Sequence, residues 1–539
     1  MKVMGLKIRL RGSLMKSIKH KKGSISLWSW LVIIGVFLTY WAISSSYSGP
    51  AYLSDEIGYL TKAAFLAGYV VDAASSWHAG YSLFLAPLFA LFSEPGRIWQ
   101  GAMIINAVLW GISFYLLARL LNELSPEREK FLAVLTAAVY PSWVTMSGYV
   151  FSTSCIAFVY MLSVLTLLRW RGTGFWSVVP HSLCVGFLYW VHPTGLVVAA
   201  ASILTVSLAT LRMRNFRPLT LHIVLVMLLI VAYKKGVHQW LVLSMTPYGY
   251  QPILHYPSFS SILHKIQILD STFLIHFVAM VMGQFSYLAI GTFGMALFSL
   301  VTAVNIVFRY LSTSRDTTAA VSLTQTAVYV FLALSIVGVI AMGSSSFATS
   351  ISPRYDHWIF GRYVDGILLP VLALGYVTAW RFKWVTVSTL FVVVTGVVLE
   401  AVAEIGAPTN LMSIPAFWPL VLLPNKHFLQ WMLVGALGIF ITGAAGKVGN
   451  AGKTAALAFM LIAGVTCAVN QHKWHSNILS GYSAPSSLVE VVRLNFPEGS
   501  CIGFGPKIPE QSTLYQRERY NLYSFYFFNY RYRRMSPEE

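Results

Sequence analysis

"LWSWLVIIGVFLTYWAI", Leu27–Ile43, contains no charged residue and is nearly as long as the roughly 20 residues that a helix needs to cross a bilayer. The 22 residues before it carry Lys2, Lys7, Arg9, Arg11, Lys16, Lys19, Lys21 and Lys22 and no acid. A basic start and an apolar run also describe a cleaved signal peptide, but this run exceeds the ~7–15-residue signal core and more apolar runs follow, which predicts a retained first helix. Ala327–Met342 and Leu390–Ala403 repeat the pattern. Across 539 residues the chain is 56% hydrophobic and 11% charged, where soluble chains hold about 25% charged residues. With a mean hydropathy of +0.65, a single soluble domain is excluded. The expected fold is an all-α polytopic membrane protein.

About thirteen spans are expected, near 28–44, 98–121, 131–147, 153–168, 176–190, 195–210, 219–233, 286–308, 323–342, 363–380, 385–402, 428–444 and 454–470. The net charge of +19 could suggest nucleic acid, but the basic residues sit in short loops between apolar runs. "RWRG" (Arg169–Gly172), "RMRNFR" (Arg212–Arg217), "FRYLSTSR" (Phe308–Arg315), "WRFKW" (Trp380–Trp384) and "GKVGNAGK" (Gly446–Lys453) all fall on the side of the basic N-terminus. That distribution follows the positive-inside rule and argues against a nucleic-acid partner. It places residues 1–25 in the cytoplasm, a transmembrane domain over 26–470, and outer loops at 45–97, 234–275 and 343–362. A small α/β extracytoplasmic domain is expected at 471–539, with "SSLVEVVRLNF" as a helix and "SCIGFG" as a strand. "SPEE" (Ser536–Glu539) has the form of a capping box whose helix is missing, which suggests a trimmed tail without a catalytic role.

Only 19 residues are acidic, yet "YLSDEIGYL" (Tyr52–Leu60) sets Asp55 and Glu56 together just beyond the first span. "SDEIGYLTKAAFLAG" predicts a short interfacial helix with Ser54 or Asp55 as N-cap. On local sequence alone, the acids can be no more than a cap that favours the helix dipole. "WHAGYSLFLAPLFALF" (Trp77–Phe92) follows, an apolar segment broken by Pro87, read as a re-entrant or second interfacial helix. The four cysteines, Cys155, Cys184, Cys467 and Cys501, show neither metal-ligand spacing nor an expected disulfide pairing.

Acidic pair, interfacial helix and Gly-Tyr turn in that order resemble the GT-C superfamily of integral membrane glycosyltransferases. Protein O-mannosyltransferases, the lipid A aminoarabinose transferase and arabinosyltransferases belong to it. "PSWVTMSGYVFSTS" (Pro141–Ser154) is similar to the outer turn between the third and fourth spans of bacterial members. "FGRYVDGILLPVLALG" (Phe360–Gly375) resembles the segment that opens a late span. "GFLYWVHPTGLVV" (Gly186–Val198) carries His192 where Arg is usual, a departure that weakens a phosphate role there.

The resemblance implies transfer of a sugar from a polyprenyl-phosphate donor to a lipid, glycan or protein acceptor, at the outer face of a bacterial inner membrane. Asp55 matches the general-base position, and Glu56 is a partner or metal ligand. A leaving phosphate calls for cations: Arg362 first, then Arg354 and His357. His78, Tyr59, His255 and Lys265 are expected as acceptor or loop contacts, with Lys234, Lys235 and His264 as weaker candidates. Membrane lipids are the remaining partners. The resemblance fixes no cofactor and leaves a divalent metal open; if bound, it would take Asp55, Glu56 and His78. Glu400 and Glu404, at a span's outer end, either line a cavity or simply end the helix. Two other classes remain open: a transporter or flippase for lipid-linked saccharides, which calls for broken mid-membrane helices, and an O-antigen polymerase or ligase, which would not require the acidic pair.

Overall fold

The computed structural model describes residues 27–47, 49–50, 53–69, 77–124, 127–170, 174–245, 264, 268, 270–312, 320–349, 354–377, 382–403, 414–417, 427–445, 451–481, 491–492, 494–497, 500–504, 526 and 531–534. The helices in chain order are α1 (Leu27–Ser45), α2 (Leu53–Leu66), α3 (Gly80–Leu91), α4 (Pro95–Leu124), α5 (Glu127–Ala138), α6 (Pro141–Met146), α7 (Thr153–Arg169), α8 (Val179–Val191) and α9 (Gly195–Met213). They continue with α10 (Arg217–Val231), α11 (His238–Met245), α12 (Ser271–Gly291), α13 (Met295–Ser312), α14 (Ala320–Ala348), α15 (Arg362–Asp365), α16 (Leu369–Val377), α17 (Phe382–Val402), α18 (Phe428–Ala445) and α19 (Ala451–Gly481). In the tail, β1 (Cys501–Phe504) pairs in parallel with β2 (Arg531–Arg534), Cys501 opposite Arg531.

Eight helices among the described residues are long and apolar enough to cross a membrane, or nine if the bent pair Tyr355–Asp365 and Leu369–Val377 is one span. Shorter apolar helices account for others of the expected spans: Trp30–Ser45, Thr153–Arg169, Phe175–Val191 and Met295–Phe308. Helix α4 is the most buried candidate span, with α1 on one side and α7 on another. The span Arg217–Met245 is the least buried. It exposes Val224, Met227, Leu228 and Val231 while His222, Val226 and Ile230 face inward. An apolar surface on this scale is a liability in water and an ordinary lipid contact in a bilayer. The protein is an all-α polytopic membrane protein.

Several expected boundaries shift for identifiable reasons. The span near 131–147 is two helices, because Pro141 drives Tyr140 into an extended conformation (φ −60°, ψ 123°). The span near 363–380 is the bent pair, with 81° between its halves. The outer loop at 234–275 begins as helix: a π-helical segment, Ala232–Val237, carries α10 into α11. Likewise α14 runs to Ala348 and α19 to Gly481, so the boundary at 470 falls inside a helix.

The span near 286–308 starts much earlier, at Ser271, where Asp270 caps α12 by accepting from the Phe273 amide at 3.1 Å. Helices α12 and α13, kinked where they join, both run beside the bent pair. Gly283 lies against Trp358, Tyr287 reaches Asp365, and Met295 lies against Gly375, so residue numbers rise together along both paths. The kink is a left-handed turn at Phe293 (φ 48°) and Gly294 (φ 85°). Its Gly294 amide donates to Ala289 O at 2.7 Å, the pattern of a helix C-terminal motif.

A Cβ at Gly283 would run into the Trp358 carbonyl, whereas one at Gly35 meets nothing within 4 Å. Gly283→Ala is therefore expected to lower stability in detergent by about 1–3 kcal/mol. Gly35→Ala should leave the thermal midpoint level or slightly raised. Equal midpoints for the two variants would contradict the close approach of α12 to the 355–359 turn.

Candidate active site

Helix α2 opens with Asp55 and Glu56 inside its first turn rather than with Ser54 or Asp55 as the cap. Adjacent helical residues point about 100° apart, and these two carboxylates reach different partners. Asp55 Oδ2 is ion-paired with Arg362 Nη2 across 307 residues of sequence. Both side chains are mostly buried, at 6% and 14% exposure. Glu56 is fully buried and accepts from the Val150 amide at 2.8 Å. It anchors the turn between α6 and α7, and that turn brings the Phe151 ring to 4.1 Å from the Arg362 guanidinium carbon. Three residues after Glu56, Tyr59 donates to Ser152 Oγ at 2.9 Å and tightens the same turn.

Arg362 is held from its own side by Asp365, on the last turn of α15. Tyr140 and Tyr287 each donate to the Asp365 carboxylate at 2.9 Å, and Ser142 Oγ donates as well. Trp143 Nε1 donates to the Asp365 carbonyl at 3.0 Å. Tyr287 OH also accepts from the Ala416 amide at 3.1 Å. A buried carboxylate with three hydroxyl donors is satisfied without a cation, so Asp365 ties the start of α6 and α12 to the short helix that carries Arg362. A second network joins α3, α4 and α7 to the turn that carries Phe151: Tyr81 OH and Ser154 Oγ donate to Asn106 Oδ1 at 2.6 and 2.7 Å, while Asn106 Nδ2 donates to Tyr149 O at 2.8 Å.

Segments expected at the outer face thus meet at one end of the bundle. Residues 45–97 supply Asp55, 343–362 supply Arg362, and Gln471 donates to Thr145 O at 2.7 Å. Sequence reasoning missed Asp365, although "RYVD" sets it one turn from Arg362, and it missed Phe151.

The remaining candidates fall elsewhere. Arg354 forms a bidentate pair with Asp356, at 3.1 and 2.8 Å. His357 stacks on Phe347 at 4.2 Å between ring centroids. His192 lies 5.4 Å from the Tyr363 ring, and its pKa is lowered to about 3 by burial and then by the Arg362 charge. His78 Nδ1 contacts the Tyr189 carbonyl. Lys234 and Lys235 are exposed on the π-helical segment. Glu400 caps α18, with His427 Nδ1 at 2.7 Å and the Leu429 amide at 3.2 Å. His255, Lys265 and Glu404 lie outside the described residues. Asp55, Glu56 and His78 do not converge, and among the described residues no three His, Cys, Asp or Glu side chains gather as a metal site. Cys155, Cys184 and Cys467 are free thiols.

This geometry separates the two acids. Glu56→Gln, which keeps an acceptor for the Val150 amide, is expected to retain membrane abundance and most activity. Glu56→Ala leaves that amide unpaired and should cost about 1–3 kcal/mol of stability. A fully folded but inactive Glu56→Gln would instead place Glu56 in the chemistry.

No family model and no curated protein matches this sequence. The fold is similar to the crystal structure of ArnT from Cupriavidus metallidurans in the apo state, at 13% identity and a TM-score of 0.49, over 93% of this chain and 84% of that one. It is likewise similar to the structure of the same ArnT bound to undecaprenyl phosphate, at 12% identity and a TM-score of 0.49, over 95% of this chain and 86% of that one.

Proposed function

We propose that this chain is a membrane glycosyltransferase, moving a sugar from a polyprenyl-phosphate donor to an acceptor hydroxyl with inversion at the anomeric carbon. The setting is the outer face of a bacterial inner membrane, with the N-terminus cytoplasmic. The observation that carries the reading is the mostly buried Asp55–Arg362 pair at the end of the bundle where the outer segments meet. The order of sequence motifs agrees with it. A lipid, a glycan or a protein can supply the hydroxyl.

In this scheme the Asp55 carboxylate is the general base. It takes the proton from the acceptor hydroxyl as that oxygen attacks the anomeric carbon. The bond from the anomeric carbon to the phosphate oxygen breaks, and lipid phosphate leaves with the electron pair. Arg362 keeps Asp55 aimed, and the Phe151 ring against the guanidinium limits where Arg362 can move.

Asp55→Asn keeps a hydrogen-bond acceptor for Arg362 and removes the base. Transfer of labelled sugar should fall by about 10²–10⁴-fold, with normal membrane abundance and intact donor binding. Unchanged transfer would sink the assignment, and lost abundance would leave Asp55 with a structural role only. The bent pair at Asp365 and Leu369, with the interruptions at Pro141 and at Phe293 and Gly294, favours a flippase. Proteoliposomes that translocate a lipid-linked saccharide without forming product would establish that reading instead.

A further inference from the structure

Lys62, on α2, is 1% exposed. Its ammonium donates to the Trp77 carbonyl, which uses one of its three N–H groups. Among the described residues no carboxylate pairs with it; the ion pairs there join Arg97, Arg169, Arg354, Arg362 and His427 to acids. Its neighbours are groups that can become cations. His78 follows the Trp77 whose carbonyl Lys62 contacts, and the His78 and His238 rings lie 5.7 Å apart. His78 Nδ1 faces the Tyr189 carbonyl, so Nε2 is the atom free to take a proton. His238 Nδ1 is buried without a hydrogen-bond partner. The Tyr233 and Tyr189 rings close the cluster, each 4.9 Å from His78.

A buried ammonium without a counter-ion costs several kcal/mol. Burial accordingly pulls the Lys62 pKa down to about 7. Among the described residues Lys62 meets no carboxylate and His238 Nδ1 no partner, an arrangement that an anion relieves.

We infer that Lys62, His78 and His238 form a phosphate-binding site that receives the phosphate of the lipid-linked donor. This rests on the glycosyl-transfer reading and adds to it where the leaving group goes. Asp55, Tyr59 and Lys62 are spaced i, i+4 and i+7 and so share one face of α2. Seven residues advance about 10.5 Å along a helix. In an inverting transfer the base and the phosphate lie on opposite sides of the anomeric carbon. Their separation is a hydrogen bond, an attack contact and two covalent bonds, roughly 9–10 Å. The face of α2 matches that span, with Tyr59 between the two ends. Arg362, already touching Asp55, sits at the base end.

The test is binding of labelled polyprenyl phosphate to the full chain in nanodiscs, with inorganic phosphate as a second probe. Lys62→Met should weaken polyprenyl phosphate binding about 10- to 100-fold, the worth of a charged hydrogen bond. Its thermal midpoint should be level or raised, since a buried charge is removed. His238→Gln, a second variant that leaves Lys62 in place, should show a smaller loss. Asp55→Asn should bind as wild type does. Equal binding by wild type, Lys62→Met and His238→Gln would overturn the site. If wild type binds inorganic phosphate through Lys62 but not polyprenyl phosphate, the assignment to the donor is overturned and the glycosyl-transfer reading falls with it, leaving only an anion site. Binding of neither probe overturns the site altogether.

Discussion

The ion pair between Asp55 and Arg362 is the interaction on which the candidate site depends, and it is costly to build. Two charges taken out of water lose hydration that their mutual attraction restores only when the geometry is good and the neighbours help. The neighbours here do. Glu56 pins the turn that carries Phe151, Tyr59 pins the same turn through Ser152, and Asp365 fixes the short helix that presents Arg362. Removing any of these leaves one of the two charges free to turn away from the other.

The support for that pair is polar and deep inside an apolar bundle. Asp365 gathers hydroxyls from Tyr140, Ser142 and Tyr287, and these come from segments far apart in the chain. Each lies near a helix interruption: Pro141 after Tyr140, the turn at Phe293 and Gly294 after Tyr287, and the bend that follows Asp365 itself. Interrupted helices release backbone groups and redirect side chains, and in a membrane they persist only where protein surrounds them. The breaks at Pro141, at Phe293 and Gly294 and after Asp365 therefore gather around the site.

Hydrophobic runs made most spans legible in the sequence, because a run's length against the bilayer is a one-dimensional property. The acidic pair after the first span was legible for the opposite reason, as charge where charge is scarce. Bends were not: hydropathy is the same for a straight span and for one folded by 81° at Asp365 and Leu369. The start of α12 could have been found, since "DSTF" offers Asp270 as a cap, but the polar region around it hid the helix. Lys62 was missed because a lysine on an amphipathic helix ordinarily reaches water; only the packing of Trp77 and the residues around His78 shows that this one does not. Glu400 shows the converse. Its place at a span's outer end left a cavity and a simple helix end both open, and its contacts with His427 and Leu429 are those of a helix cap.

The central claim is that Asp55 and Arg362 act as one coupled unit across 307 residues of sequence. A double-mutant cycle of Asp55→Ala and Arg362→Gln, read by unfolding free energy in a fixed detergent, measures that coupling without reference to donor or acceptor. A coupling energy of about 1–3 kcal/mol is expected, with the double variant less destabilised than the sum of the singles. Additivity to within about 0.5 kcal/mol would mean that the two residues do not hold each other, and would contradict the account.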